Sequence, residues 1–156
     1  MNILFAYDGS DEADAAISAA AALLQPNGGK AVVLSVWEPL TVQALRAEKF
    51  GGPLAFPLSA DEFDKPSEDH ARQVAEQGAQ VAKGHGFDVQ ALSVADKHAI
   101  ADTIVTRADE LDVDVIVLGA RGLAGIAAFL GSVSNHVLQH AHRPVLIVPP
   151  KEARNG

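Results

Sequence analysis

Short apolar runs separated by amphipathic stretches dominate the hydrophobic pattern of this chain. The runs at residues 2–7, 31–36, 113–118 and 144–148 are rich in Val, Ile, Leu and Ala. Such runs are typical of strands buried on both faces of a parallel sheet. A further run at residues 88–95 alternates apolar and polar positions, which predicts a less buried strand at an edge of the sheet.

Apolar residues recur at helical spacing between these strands. The predicted helices are residues 11–24, 68–83, 98–111 and 132–141. Ser10 and Ser67, each followed by two acidic residues, are the predicted N-caps of the first two helices. Strands and helices therefore alternate along the chain. This order predicts an α/β fold with a five-stranded parallel sheet and helices on both of its faces.

One segment departs from this regular alternation. Residues 38–65 have no clear period and contain three prolines and a Gly-Gly pair, which predicts a long excursion with a helical turn near residues 42–49. Its three phenylalanines either pin the excursion onto the body or form a gate over a ligand. The length of the chain fits one domain at residues 1–150, followed by a frayed tail at residues 151–156.

Composition and charge narrow the classes of partner. Twelve Lys and Arg residues against twenty Asp and Glu give a net charge of −8, which argues against binding to nucleic acid or to an anionic membrane surface. The absence of Cys excludes disulfides and thiolate chemistry. Acidic residues interrupt the amino-terminal apolar run, and the sequence contains no uncharged run of membrane-spanning length. We therefore expect a cytoplasmic protein without a membrane span.

A glycine-bearing loop follows the apolar run at residues 113–118. Gly119 and Gly122 precede an eight-residue spacer, and Gly131 and Ser132 then open the last predicted helix. Backbone N–H groups at a helix start bind anions, and glycine lets a ligand approach the backbone closely. The loop therefore predicts a phosphate cradle. The alternative is a tight strand-to-helix turn that binds nothing.

Two charged residues stand near this loop in the predicted fold. Asp8 follows the first strand, and ligands of such sheets bind beyond the carboxyl ends of the strands, where the strand order reverses. If the first and fourth strands are neighbours, Asp8 and Gly119 face one crevice. Arg121 lies between the two loop glycines, where its planar guanidinium either pairs with a phosphate or remains solvated.

Together these motifs resemble the universal stress proteins of the nucleotide-binding type. The resemblance rests on the pattern G-x-x-G, eight residues and GSVS at residues 119–134, on ILFAYDGS at residues 3–10 and on RPVLIV at residues 143–148. Family members usually carry nine residues in the spacer, so this loop is one residue shorter. The resemblance covers nearly the whole chain except residues 38–65. It implies a Rossmann-like fold of the adenine nucleotide alpha hydrolase type.

The resemblance also implies an ATP site, with any Mg²⁺ brought by the nucleotide. Asp8 is expected to contact the adenosine, and Ala6 and Val36 are expected to line its pocket. Residues 131–134 are expected to bind the phosphates. Together with Arg121, the expected nucleotide-binding residues are Ala6, Asp8, Val36, Leu118, Gly119, Gly122, Gly131, Ser132, Val133 and Ser134.

The same resemblance implies a homodimer formed through the fifth strand, Val145–Val148, since an exposed edge strand invites pairing with another chain. It further implies a regulator of the stress response that binds ATP without needing to hydrolyse it. Two alternatives remain open: a slow ATPase or self-phosphorylating enzyme, and a chaperone-like dimer without nucleotide. The sequence shows no positioned general base and no dedicated Lys near the glycines, so an enzyme is the less favoured interpretation.

The remaining candidate metal ligands and nucleophiles are weaker indications of function than the glycine loop. His136 and His140 share a helix face at a spacing that suits zinc, but a third ligand is not evident and a solvated helix face explains both. Ser10 and Ser132 would be nucleophiles only with a nearby base, and no histidine stands at an informative position for that role. No metal ligand and no catalytic residue is therefore predicted.

Overall fold

The computed structural model describes residues 1–24, 27, 29–49, 60–120 and 130–150. Its strands are β1 (Asn2–Ala6), β2 (Lys30–Trp37), β3 (Asp88–Ala95), β4 (Val115–Gly119) and β5 (Val145–Val148). Its helices are α1 (Asp11–Leu24), α2 (Leu40–Lys49), α3 (Ala60–Gly84), α4 (Ile100–Glu110) and α5 (Ser132–His140). The strands form one parallel sheet in the order β3-β2-β1-β4-β5, which confirms the predicted α/β fold. None of the described helices combines the length and the hydrophobicity needed to cross a bilayer.

Successive residues of the central strand serve opposite layers of the core. Phe5 of β1 packs with α1 and α3 on one face of the sheet, where its ring meets Phe87 edge-on at a centroid distance of 5.4 Å. Leu4 points to the other face, where α4 and α5 contribute Ile104 and Val137. All these side chains are buried. The unbroken apolar run of β1 therefore reflects burial on both faces.

The order of the strands reverses beside β1. The chain builds β2 on one side of β1 and later returns to place β4 on the other side, with Ile3 opposite Val115 and Phe5 opposite Val117. Because all the strands are parallel, the carboxyl ends of β1 and β4 meet at one edge of the sheet. The adjacency on which a shared crevice depends is thus present in the fold.

Both edge positions agree with the sequence pattern. β3 and β5 form the two edges of the sheet, which confirms the edge position predicted for residues 88–95. Val145, Leu146 and Ile147 of β5 are only half-buried, since this strand has a neighbour on one side only in the described chain.

The segment after β2 is more ordered than the sequence suggests. Helix α2 covers ten residues where one helical turn was predicted. Its first residue, Leu40, donates its backbone N–H to the Asp64 carboxylate of α3 at 2.7 Å, which caps α2 from outside. Phe50, Phe56 and the side chain of Phe63 lie outside the described residues.

The predicted start of the next helix was wrong. α3 begins at Ala60, so Ser67 lies inside the helix rather than at its N-cap, and Pro66 lies one residue before it. The acidic residues that suggested a first turn instead pair along the helix, Asp69 with Lys65 at 3.3 Å and with Arg72 at 3.2 Å. Such pairs three or four residues apart stabilise a helix interior as well as a start.

Candidate functional site

A cavity of about 310 Å³ opens at the carboxyl ends of β1, β2 and β4. Its volume lies within the range of small-molecule sites, roughly 300 to 1,000 Å³. The predicted site residues that line it are Ala6, Asp8, Val36, Leu118, Gly119, Gly131, Ser132, Val133 and Ser134. The remaining two predicted residues, Arg121 and Gly122, lie outside the described residues. The fold therefore brings every described member of the predicted set to one place.

Asp8 is held in a tight turn at the end of β1. Its Oδ1 atom accepts hydrogen bonds from the Ser10 backbone N–H at 3.0 Å and from the Ser10 hydroxyl at 2.5 Å. Gly9 between them has φ +82°, a conformation that favours glycine. Ser10 in turn accepts the Ala13 N–H at 3.1 Å, which confirms it as the N-cap of α1. Within the described part of the chain these bonds engage one oxygen of Asp8, and the other keeps its acceptor capacity.

The amino terminus of α5 forms the opposite wall. Gly131 is its N-cap, with an extended backbone at φ −61° and ψ 159°. The first helical hydrogen bond runs from Asn135 N–H to the Gly131 carbonyl at 3.0 Å. The N–H groups of Ser132, Val133 and Ser134 precede that bond and therefore have no acceptor within the helix. Three donors and the positive end of a helix dipole thus stand at the cavity.

Ser134 has a different role from the one that the sequence suggested. Its side chain is buried, and its hydroxyl lies 2.8 Å from the carbonyl of Gly119 and 3.1 Å from that of Ala120. A hydroxyl has one proton to donate, so these two carbonyls share it. The side chain of Ser134 therefore fastens α5 to β4. Only its backbone N–H remains as a donor toward an anion.

The rest of the wall is apolar. Leu34 and Val36 come from β2, and Ile100 and Ile104 come from α4. The sequence placed the two isoleucines on one helix face but gave them no part in a site, because spacing alone does not tell whether an apolar face meets the core or a cavity. Flat aromatic rings such as nucleobases suit a wall of this kind.

Tyr7, which also lines the cavity, is a buried residue with a fixed protonation state. Its hydroxyl donates to Asp14 Oδ1 at 2.6 Å. Burial, reinforced by the neighbouring Asp14 carboxylate, raises the pKa of Tyr7 far above its ordinary value. The phenol therefore stays neutral at physiological pH and serves as a hydrogen-bond donor rather than a base.

A histidine pair lies on α5 below the cavity. His136 Nε2 is 2.8 Å from Asp102 Oδ1 of α4, and the rings of His136 and His140 stack with centroids 4.2 Å apart. His140 Nδ1 is 3.0 Å from the carbonyl of His136. Within the described residues, no three metal-ligating side chains gather closely enough to hold an ion. The pairing of His136 with Asp102 was not foreseen, since it joins two helices.

The strand order and the cavity at its reversal point define a doubly wound α/β protein. Comparison of the sequence identifies the group within that class. The profile of the universal stress protein family, Usp, matches residues 1–149. A Thermus aquaticus relative, the universal stress protein in the QAH/OAS sulfhydrylase 3′ region, is 31% identical over 147 residues, covering 94% of this chain and 96% of the relative. The chain belongs to the universal stress protein family.

Solved structures show the same fold. Hypothetical protein MJ0577 superposes with a TM-score of 0.76 at 24% identity, covering 96% of each chain. The universal stress protein from Archaeoglobus fulgidus in complex with dAMP gives a TM-score of 0.65 at 23% identity, covering 94% of this chain and 96% of the other. A universal stress protein in complex with cAMP gives 0.60 at 23% identity, covering 96% of each chain.

Proposed function

We propose that this chain is a nucleotide-binding universal stress protein whose ligand is ATP. The observation that carries the proposal is the convergence of Asp8, the start of α5 and an apolar wall on one cavity. The adenine nucleotides dAMP and cAMP in complexes of structurally similar proteins support the choice of an adenine nucleotide.

Each part of the cavity suits one part of the nucleotide. The adenine would pack against Val36 and Ile104, and the free oxygen of Asp8 would accept a hydrogen bond from a ribose hydroxyl. The N–H groups of residues 132–134 would bind phosphate oxygens, with Gly119 allowing close approach. Arg121 and Gly122 belong to the proposed site by their place in the glycine pattern. Mg²⁺ would arrive with the nucleotide, bound mainly by phosphate oxygens and water.

Binding can be tested with a pair of variants that carry the same added charge. Ser132→Glu places a carboxylate in the cradle, yet an acidic residue in the first turn favours the helix. Asn135→Glu adds the same charge on the exposed face of α5, away from the cavity. We expect Ser132→Glu to weaken ATP binding at least about tenfold in titration calorimetry and Asn135→Glu to change it little. Equal affinity of the two variants would sink the site assignment.

The nucleotide that the purified protein carries distinguishes a nucleotide-binding regulator from an enzyme and from a chaperone-like dimer. Heat-denatured protein releases its ligand, and chromatography of the supernatant identifies it. Intact ATP supports a nucleotide-binding regulator. ADP formed during incubation with ATP supports an enzyme, and the lack of binding at any nucleotide concentration supports a chaperone-like dimer.

We further propose a homodimer formed through β5, in which the nucleotide biases the conformation or the partner choice of a stress-response regulator. The carbonyls of Pro144 and Val148 accept bonds from β4, so even-numbered residues of this strand face β4. The backbone of Ile147 therefore faces outward from the sheet. Ile147→Pro removes this outward donor and should convert a dimer into monomers in light scattering after gel filtration. A dimer that survives the substitution lies on another surface.

A further inference from the structure

A second cavity, of about 360 Å³, opens at the amino ends of β1, β2 and β3. It is separate from the proposed nucleotide site, because the two cavities share no lining residue among those that the structure describes. Lys30 borders this cavity at the start of β2, and Val36 borders the other near the end of the same strand. The volume again lies within the range of small-molecule sites, roughly 300 to 1,000 Å³.

The second cavity lies on the face of the sheet that α4 covers. Val32 packs with the core layer of α4, and Lys30, two residues earlier on the same strand, shares that face. Asp88 and Gln90 of β3 are the register partners of Lys30 and Val32, so their side chains share it too. Leu111, which follows the last residue of α4, contributes from the helix layer. The cavity therefore has an apolar base and a polar rim.

Uneven coverage by the helices leaves this cavity open. On this face α4 packs on β2, and α5 packs on α4 and β5, whereas α3 covers β3 from the opposite face. Val32 and Leu92 consequently stay half-buried, and Leu111 is 38% exposed. An apolar ligand group placed over these side chains would remove their surface from water, which favours binding.

The rim carries two opposite charges on neighbouring strands. Lys30 and Asp88 are both exposed, and the side chain of neither forms a hydrogen bond or an ion pair with any residue that the structure describes. A carboxylate ligand would be attracted by Lys30 but repelled by Asp88, and an amine would meet the reverse. A ligand that carries both charges is attracted by both residues. Gln90 adds an amide that can donate and accept.

We infer that this cavity binds a free α-amino acid with an apolar side chain. The carboxylate of the ligand lies toward Lys30, its ammonium lies toward Asp88, and its side chain covers Val32 and Leu111. A ligand of so few atoms, held by exposed charges, should bind with a Kd of about 1 mM. The site does not depend on the proposed nucleotide function, since it can fill whether or not ATP binds.

The ligand class is tested with four probes that differ by one group. L-Leucine carries both charges and the side chain, isocaproate lacks the ammonium, isopentylamine lacks the carboxylate, and glycine lacks the side chain. Amide NMR titration of the intact, isotope-labelled chain without nucleotide follows residues 30–32 and 88–90. We expect saturable shifts from leucine and binding about fivefold weaker or more for the other three probes. No saturable shift from leucine, or equal or tighter binding of any other probe, overturns the inference.

The two charges are tested by substitution. Lys30→Met keeps the aliphatic stem and removes the charge, and Asp88→Asn removes the other charge. Each should weaken leucine binding about fivefold or more. Lys97→Met is the matched control, because Lys97 is an exposed lysine that lines neither cavity, and it should bind leucine like the natural chain.

Exchange of the two charges separates recognition from folding. Lys30→Asp and Asp88→Lys should each abolish leucine binding alone, because two like charges then face the ligand, and the double exchange should restore it. Unchanged binding in Lys30→Met, loss of binding in Lys97→Met, or a double exchange that stays inactive overturns the inference. ATP binding measured by calorimetry on the same samples reports the nucleotide site separately, so either site can fail while the other stands.

Discussion

The hydroxyl of Ser134 donates to the main-chain carbonyl of Gly119 at 2.8 Å and so joins the start of α5 to the end of β4. The side chain is buried, and the two residues belong to opposite ends of the glycine loop. Together with the backbone bond from the Gly131 N–H to the Ala120 carbonyl at 2.7 Å, this contact fixes the distance between the strand end and the helix terminus that border the cavity.

Ser134→Ala should consequently destabilise the protein by about 1–3 kcal/mol, because the Gly119 carbonyl loses the Ser134 donor, whereas the Ala120 carbonyl keeps the Gly131 N–H at 2.7 Å. Ser132→Ala changes an exposed hydroxyl of the same helix and should stay within about 0.5 kcal/mol. Urea unfolding of both variants measures the difference. If both variants unfold at the same urea concentration, the Ser134 contact contributes nothing to stability.

The three N–H donors at the start of α5 can be tested by removing one of them. Ser132→Pro deletes an N–H at the first helical position, where proline is well tolerated, and the extended backbone of Gly131 suits a following proline. We expect a loss of about 1.5–3 kcal/mol in ATP binding relative to Ser132→Ala, with thermal unfolding unchanged. Calorimetry measures the affinity. Equal binding by the two variants would show that this N–H does not contact phosphate.

Gly78 sets the approach of α3 to the sheet. A Cβ atom at this position would lie 2.7 Å from the Tyr7 ring and 2.7 Å from a methyl group of Val33. Gly78→Ala should therefore cost about 1–3 kcal/mol through overpacking, despite the better helix propensity of alanine. A Cβ atom at Gly84 would meet no described atom within 4 Å beyond its own stretch of helix, so Gly84→Ala should be neutral or stabilising. Chemical denaturation measures the stability of both variants. If Gly84→Ala were less stable than Gly78→Ala, the close packing described at Gly78 would be refuted.

Acid should weaken a charged cluster between α4 and β5. His142 and Arg143 contact the Asp109 carboxylate at 2.7 and 3.2 Å, and the hydrogen bond from His142, followed by that from Arg143, lowers the pKa of Asp109 below its usual 3.8. A depressed carboxyl pKa stabilises the fold above the unfolded value, near pH 4, and this contribution disappears as pH falls through the folded pKa. The stability gap between the natural chain and Asp109→Asn should therefore shrink below about pH 4. Denaturation curves recorded at several pH values measure this difference in stability. A difference that stays constant below about pH 4 would contradict the prediction.

Local sequence patterns predicted the parts of this fold that depend on local physics. The apolar run at residues 113–118 and the alternation at residues 88–95 report burial directly; both strands are present, and the second lies at an edge of the sheet as expected. Ser10 was identified as an N-cap because a cap involves residues three apart. Asp8 and the glycines were recognised as candidates because strand ends carry the chemistry of such sheets.

Local sequence patterns could not predict contacts between segments that lie far apart in the sequence. The partner of His136 is Asp102 of α4, and no spacing along one helix reveals it. Ser67 looked like a helix start because capping residues and helix-interior ion pairs use the same residue types. The hydroxyl of Ser134 was assigned to phosphate, since its nearest acceptor became visible only when β4 and α5 were placed together.

The cavity joins residues from the two ends of the polypeptide, with Asp8 in the first turn after β1 and Ser132 beyond β4. Neither half of the chain can assemble it alone, so a protease that separates the halves destroys it even where each fragment keeps its helices. A small molecule that contacts both sides of the cavity binds only the folded chain. Its binding therefore raises the free energy of unfolding. Resistance to proteolysis and to heat should therefore rise with the concentration of that molecule.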